Sequence, residues 1–412
     1  MSVAAESETP AGPALSRFEF VALVAFLMAL NAAAIDVVIP ALSTIGDAFD
    51  IGGSNERQFV ITAYVLGFGG AQIIYGPLTD RYGRRPVLFA GLLIYIVGAL
   101  AAIWSPTFGA LLGARLVQGI GAASTRVVAT ALIRDRFEGA AMASAMSLVM
   151  MVFMIMPIVA PNIGALVLAF GDWHGLGLAM ALVGIAALIW SVVRLPETLD
   201  PADRRPLTGK RVAEAFRIVV TNRQAACFTG AMAAFFGILF AFINQAEQIF
   251  TVTYGKGAGF TLYFSLVAVF MAGSSFANSR LAGRFGIRRL SQGALLAFML
   301  LGGLHLVLAI AYGGATPFPL FLVMFILSMC CFGFVPPNLN ALAMQPMGHV
   351  AGVASAVLGA AQTLVGGILG ALVAYLYDGT LIPLLAGFLG LSALSLALIA
   401  VAERGRMFRP DV

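Results

Sequence analysis

The sequence predicts an all-α membrane protein in which twelve transmembrane helices form two pseudo-symmetric six-helix bundles. Three observations predict it. Of the 412 residues, 60% are hydrophobic and 10% charged, with a mean hydropathy of +0.96, against about 45–50% apolar and about 25% charged in soluble domains. A water-soluble globule of this size has no way to hide that much apolar surface. Apolar runs long enough to cross a bilayer, roughly 20 residues each, recur along the whole chain. Finally, a related segment appears once in each half: DRYGRRP starts at Asp80 and GRFGIRR at Gly283, with the glycine and two of the three arginines at matching offsets.

Taken in order, the apolar runs bounded by charges or turn residues are 18–40, 58–79, 87–104, 109–133, 142–169 and 176–194. After an interruption come 223–250, 260–279, 290–312, 318–342, 351–376 and 381–402. These are the expected helices 1 to 12. The interruption, Leu195 to Phe216, holds Pro196, Pro201 and Pro206 and is the only long polar segment, so it reads as a linker. The expected organisation is a tail (1–17), a first bundle (18–194), a linker (195–222), a second bundle (223–403) and a short terminal tail (404–412). Residues 1–16 carry Glu6, Glu8, Pro10 and Pro13 with no basic stretch ahead of an apolar core, which reads as a soluble tail rather than a cleaved signal peptide.

Charge fixes the expected orientation, because Lys and Arg in short loops are retained in the cytoplasm. With a cytoplasmic N-terminus, 20 of the 24 basic residues fall on the inside; only Arg57 and Lys256 lie in outside loops, and Arg115 and Arg126 lie within helix 4. Both termini and the linker are then cytoplasmic. A net charge of +5 from 24 basic and 19 acidic residues is too dilute for a nucleic-acid surface. Cys227, Cys330 and Cys331 are odd in number and lack metal-ligand spacing, and His174, His305 and His349 are scattered. Neither a disulfide framework nor a metal site is expected, and no catalytic triad or phosphate loop is visible.

Ionisable residues inside apolar helices are costly and mark functional candidates. Asp36 lies one turn before Pro40, flanked by Ala33, Ala34, Ile35, Val37 and Val38. Desolvation there favours the uncharged carboxyl, which suits a group that loads and releases a proton; the alternative is a carboxylate permanently paired with an arginine. Arg115 and Arg126 are eleven residues apart, about three turns, and share a helix face. Arg126 is open to either a functional or a structural hydrogen-bonding role. Glu247, with Asn244, Gln245 and Gln248 around it, shares a polar face with Phe240 near the outer end of helix 7. It is suited to attract cations, to bind a second proton, or to sit in the outer headgroup layer. Two similar halves can rock about a central site, which is the geometry of alternating access.

Several motifs carry a resemblance. GPLTDRYGRRP (Gly76 to Pro86), LLGARLVQGIGAA (Leu111 to Ala123) and PIVAPNIGA (Pro157 to Ala165) resemble, in order, three signatures of the major facilitator superfamily: the loop between helices 2 and 3, the fourth-helix motif with its membrane arginine, and the fifth-helix motif associated with antiporters. IDVVIPAL at Ile35, the stretch Gln58 to Leu88, IRD at Ile133, PETL at Pro196 and AGVASAVLG at Ala351 resemble its twelve-helix drug/proton antiporters of the bicyclomycin and chloramphenicol resistance (Bcr/CflA) branch. Departures occur at INQAEQIF, which carries Glu247, and at Asp172, Trp173 and His174.

The resemblance implies a proton-coupled multidrug efflux antiporter, not an enzyme, that exports small amphipathic compounds across a bacterial inner membrane. A metabolite or sugar-derivative exporter, or a proton symporter, of the same fold is the alternative; a channel or membrane enzyme is disfavoured. It needs no cofactor beyond the proton gradient, and its partners are a small-molecule substrate, protons and the lipid bilayer, with no nucleic acid, in a monomer. Proton coupling falls to Asp36, Arg115 and Glu247. Gating falls to Gly76, Asp80, Arg81, Gly83, Arg84, Arg85 and Asp135, with Asp80 at the start of helix 11 and Arg84 paired with Asp135. Pro157, Pro161 and Gly164 are expected to break or bend helix 5 and admit a close neighbour, and the resemblance assigns them to resisting proton leak. Aromatic, thioether and amide side chains suited to amphipathic molecules make Asn31, Tyr64, Met150, Met154, Phe240, Asn244, Phe264, Phe332 and Asn338 substrate candidates beside Asp36 and Glu247.

Overall fold

The computed structural model describes residues 15–51, 55–204 and 216–409; the side chains of 139, 140, 143, 153, 154, 203, 258 and 348–353 lie outside the description. Among the described residues twelve helices are long and apolar enough to cross a membrane, and there is no strand. Backbone polar groups in hydrocarbon must be satisfied within the segment, and helices do this. Helix 1 is Arg17–Asp36, continued past a 3₁₀ turn (Ile39–Ala41) by Leu42–Ala48. Helices 2 to 6 are Phe59–Tyr82, Arg84–Ile103, Phe108–Arg136, Gly139–Phe170 and His174–Arg194. Helices 7 to 9 are Arg223–Gln248, Phe260–Phe285 and Ile287–Ala311. Helix 10 runs as Phe318–Cys330 and Val335–Met344 around a 3₁₀ turn at Cys331–Gly333. Helices 11 and 12 are Ala351–Tyr375 and Ile382–Ala402.

Packing repeats with a shift of six helices. Helix 1 touches helices 4, 5 and 6, as helix 7 touches 10, 11 and 12; helix 4 packs on 2 and 3, as 10 packs on 8 and 9; helix 6 lies on 3, as 12 lies on 9. The halves meet through helix 2 on 11 and helix 5 on 8, a pair that obeys the same shift. Small residues make these approaches possible: a Cβ on Gly119 would stand 2.1 Å from the Tyr64 carbonyl oxygen, and one on Gly67 2.1 Å from that of Leu116, so helices 2 and 4 touch backbone to backbone. The repeated loops also share a backbone conformation. Gly83 and Gly286 both have positive φ, +98° and +84°, the region that glycine enters without a Cβ clash.

Apolar side chains such as Val97, Ile189, Leu300 and Val307 are more than half exposed, as expected of a lipid-facing surface. Two helices differ in detail from expectation. Helix 1 stops at Asp36 instead of running through Pro40, because proline has no N–H to give the helix and clashes with the preceding turn. Helix 5 is not broken by Pro157 and Pro161, which both lie inside one continuous helix.

Candidate functional site

The chain breaks at Asp36, and the residues around the break are held tightly. A Cβ on Gly164 of helix 5 would lie 2.2 Å from the Val37 carbonyl oxygen, so helix 5 presses backbone against the break. Asp36 is 4% exposed, and among the described residues it makes no hydrogen bond or ion pair. Arg115, at 1% exposure, does not reach the carboxylate. Its guanidinium donates to the Gln118 Oε1 at 2.6 Å, the Ala34 carbonyl at 2.8 Å and the Val60 carbonyl at 3.3 Å, and lies 4.7 Å from the centre of the Tyr64 ring. Tyr64 in turn donates to Asn31 Oδ1 at 3.0 Å. The arginine thus ties helices 1, 2 and 4 together through neutral acceptors.

The face that carries the loops after helices 1, 7 and 11 is here called the far face, opposite the linker face. There a polar clasp joins the two halves. Arg57 and Glu247, 8% and 3% exposed, form an ion pair at 3.0 Å, although neither Arg57 Nε nor Glu247 Oε2 has an aligned hydrogen-bond partner. Gln58 donates to Gln248, Gln248 to Asn55 at 3.2 Å, and Asn55 to the carbonyls of Tyr375 and Tyr377 at 2.8 and 2.7 Å. Thr62 reaches Asn244 at 3.4 Å. Thr251 donates to Glu247 Oε1 at 2.9 Å from a single π-helical turn at Ile249–Thr253, a rare element frequent at functional sites. The face of helix 7 that bears Asn244, Glu247 and Gln248 is therefore turned onto the other half. Glu247 also borders a cavity of about 410 Å³ with Pro40, Ser43, Ala165 and Phe260. At the neighbouring rim, the hydrogen bond to His174 holds the exposed Asp172 carboxyl below its ordinary range.

On the linker face Arg84 bridges Asp80 at 2.8 Å and Asp135 at 2.9 Å. Thr198 Oγ1 donates to Asp135 at 2.9 Å. Glu197 accepts from the backbone N–H groups of Arg84 and Arg85 at 2.8 and 3.1 Å, so a carboxylate satisfies the otherwise orphaned start of helix 3. It also fills the space beside Gly83, where a Cβ would lie 2.5 Å from its Oε2. Arg85 donates to the Val192 carbonyl at 3.1 Å, and the exposed Arg81 lies against Tyr82. The Arg84–Asp135 pair stands where it was expected. Asp80 pairs with Arg84; side chains 348–353, at the start of helix 11, lie outside the description, and helices 2 and 11 meet at Gly76 and Ala356.

The substrate candidates do not converge. Asn31 and Tyr64 belong to the Arg115 cluster. Phe332 stacks on Phe235 at 4.2 Å and Phe264 on Phe242 at 5.5 Å, within the aromatic core of the second half. Asn338 accepts from and donates to Asn278, the shorter bond being 2.8 Å. Phe240 faces Gly370 of helix 11, Met150 is exposed, and Met154 lies outside the described residues. Sequence reasoning missed Arg57, Gln58, Asn55 and Glu197. Arg57 had only its sign and its outside loop to mark it, and Glu197 only the PETL motif.

Comparison with known proteins accounts for this arrangement. The Major Facilitator Superfamily profile matches residues 21–371. The chain is 29% identical over 374 residues to the bicyclomycin resistance protein homolog of Haemophilus influenzae, covering 90% of this chain and 92% of that one. It is 29% identical over 359 residues to multidrug resistance protein D of Escherichia coli, covering 86% and 88%. Among solved structures, the fold resembles the D-xylose-proton symporter (TM-score 0.72, 14% identity, 95% and 98% coverage) and the human organic anion transporter MFSD10 (TM-score 0.69, 20% identity, 94% and 100% coverage). The twelve-helix, six-shifted packing and these relatives agree: the chain is a multi-pass membrane transporter that belongs to the major facilitator superfamily, with a Bcr/CflA-like sequence.

Proposed function

We propose that the protein is a proton-coupled efflux antiporter that exports small amphipathic compounds across the bacterial inner membrane by alternating access, with the linker face and both termini in the cytoplasm. One observation carries the proton-coupled part: Asp36 is buried without a counter-ion, at a break in helix 1 against the helix-5 motif. A carboxyl so placed is stable while protonated and unstable while charged, so it favours a conformation that depends on its proton. Names of the relatives as bicyclomycin and multidrug resistance proteins support the cargo class. In this reading the Arg57–Glu247 clasp is the outer gate, closed, and the Arg84 network belongs to the inner gate.

The cycle then runs as follows. With the outer gate shut, an amphipathic compound enters from the cytoplasm and Asp36 gives up its proton to that side. The halves rock, the clasp parts, cargo leaves, and Asp36 takes a proton from outside. In proteoliposomes, Asp36→Asn is expected to abolish efflux driven by a pH gradient while cargo binding without a gradient persists. Wild-type flux indifferent to the gradient, or full gradient-driven flux in Asp36→Asn, would falsify the proposal.

A further inference from the structure

Arg126 is the second arginine of helix 4, and unlike Arg115 it is partly exposed and has no carbonyl or amide acceptor hydrogen-bonded to it among the described residues. It lies ten residues, about 15 Å, from the linker-face end of Phe108–Arg136. Its guanidinium donates no hydrogen bond and forms no ion pair among the described residues. Its one partner among the described residues is the Phe68 ring, 5.8 Å from the guanidinium carbon, near the outer limit of a useful cation–π contact. The side chain is partly exposed and points at the seam between the halves, where a Cβ on Gly359 of helix 11 would lie 3.9 Å from Arg126 Nη2 and 2.9 Å from Gln72 Oε1. Gln72 Nε2 is already committed, to the Phe68 carbonyl at 3.3 Å and to Thr363 at 3.4 Å. A hydrogen-bonding role for Arg126 within the fold is thus not what holds it there.

An unpaired arginine inside a membrane helix costs at least about 2.5 kcal/mol on insertion scales. Three features show what would repay that. The guanidinium is a planar fork that matches a carboxylate with two parallel hydrogen bonds; its side chain is partly exposed at the seam; and Phe68 offers an aromatic wall. We infer that Arg126 is a substrate subsite, and that the transporter takes monocarboxylates carried on an apolar or aromatic body, bound through Arg126 at the seam of helices 2, 4 and 11. This deepens the efflux reading and rests on it for direction of transport, but binding itself needs no gradient.

The test uses the purified full-length chain in lipid-free detergent, titrated with 1-pyrenebutanoate and with its uncharged amide, 1-pyrenebutanamide, read by fluorescence. The wild type is expected to bind the carboxylate at least about tenfold more tightly than the amide. In Arg126→Gln that ratio falls to within about twofold of one, and Arg126→Lys keeps part of it, because an ammonium supplies charge without the fork. The unfolding temperature of Arg126→Gln should not drop, since no internal bond is lost; a marked drop would assign Arg126 to the scaffold and overturn the inference. Equal affinities in the wild type, or a preference that survives in Arg126→Gln, also overturn it. Repeating the titration with phosphatidylglycerol added separates cargo from lipid: loss of carboxylate binding at equimolar lipid would show a lipid phosphate as the true occupant. Gradient-driven efflux of 1-pyrenebutanoate from proteoliposomes tests the transport reading separately, so binding can hold where transport fails.

Discussion

Arg115 and Asp36 show how little of a side chain's role is written in its own identity. Each sits in an apolar helix, and opposite charges two helices apart suggest a pair. The structure instead gives the arginine to two carbonyls and a glutamine, acceptors that any sequence possesses and that no pattern marks. That assignment has a consequence for stability. A lysine at 115 has one compact ammonium and cannot serve Ala34, Val60 and Gln118 from the same position, so at least one acceptor is left without a partner in a site closed to water. Each such loss costs about 1–3 kcal/mol. Arg115→Lys is therefore expected to lower the unfolding temperature of the detergent-solubilised protein, and Arg115→Ala to lower it further. An unchanged melting curve for both would mean that the network contributes nothing to the fold.

Among elements, the spans were legible because hydropathy and charge report directly on which segments enter lipid, and every expected helix is present. Where a helix stops was less legible. Helix 1 was expected to run to Pro40, but the stop falls at Asp36, one turn earlier, and the stop is what frees the Val37 carbonyl to meet helix 5. The glycine that makes room for it, Gly164, was visible as a small residue in a motif, while its partner was not. A methyl group at 164 would stand 2.2 Å from the Val37 oxygen, so helix 1 or helix 5 must move, at a cost of about 1–3 kcal/mol for overpacking. Since Val37 follows Asp36 directly, the displacement reaches the carboxyl. Gly164→Ala is expected to fold, yet to reduce gradient-driven efflux at least tenfold. Gly113→Ala, on a glycine with nothing within 4 Å of its Cβ position, serves as the control and should leave efflux unaltered. Equal behaviour of the two variants would separate the helix 5 contact from coupling.

For the whole molecule, what the sequence could not disclose is which residues of one half face those of the other. Arg57 and Glu247 are 190 residues apart, on helices that no local pattern connects, and each alone reads as an isolated polar residue near an outer surface. Brought together they form a buried pair across the seam, in which Arg57 Nε and Glu247 Oε2 have no aligned hydrogen-bond partner. Removing one partner of a buried pair leaves an uncompensated charge worth about 3–5 kcal/mol, and about 2.8 kcal/mol is a hundredfold in a two-state population. If the clasp holds the far face shut, Glu247→Gln and Arg57→Gln should each shift molecules towards a far-face-open form in which the lone charge is hydrated. The double variant, having no orphan charge, should lie closer to the wild type than either single does, because residues in contact are not additive. The measurement is the rate at which a water-soluble maleimide labels Ser43→Cys, a position bordering the cavity beside Glu247, in a background with Cys227, Cys330 and Cys331 replaced. Severalfold faster labelling in both singles, partly reversed in the double, is the expected pattern. Independent, additive changes would show that the two residues do not act as one gate, and unchanged rates would show that opening of the far face is controlled elsewhere along the helix 2 and helix 11 seam.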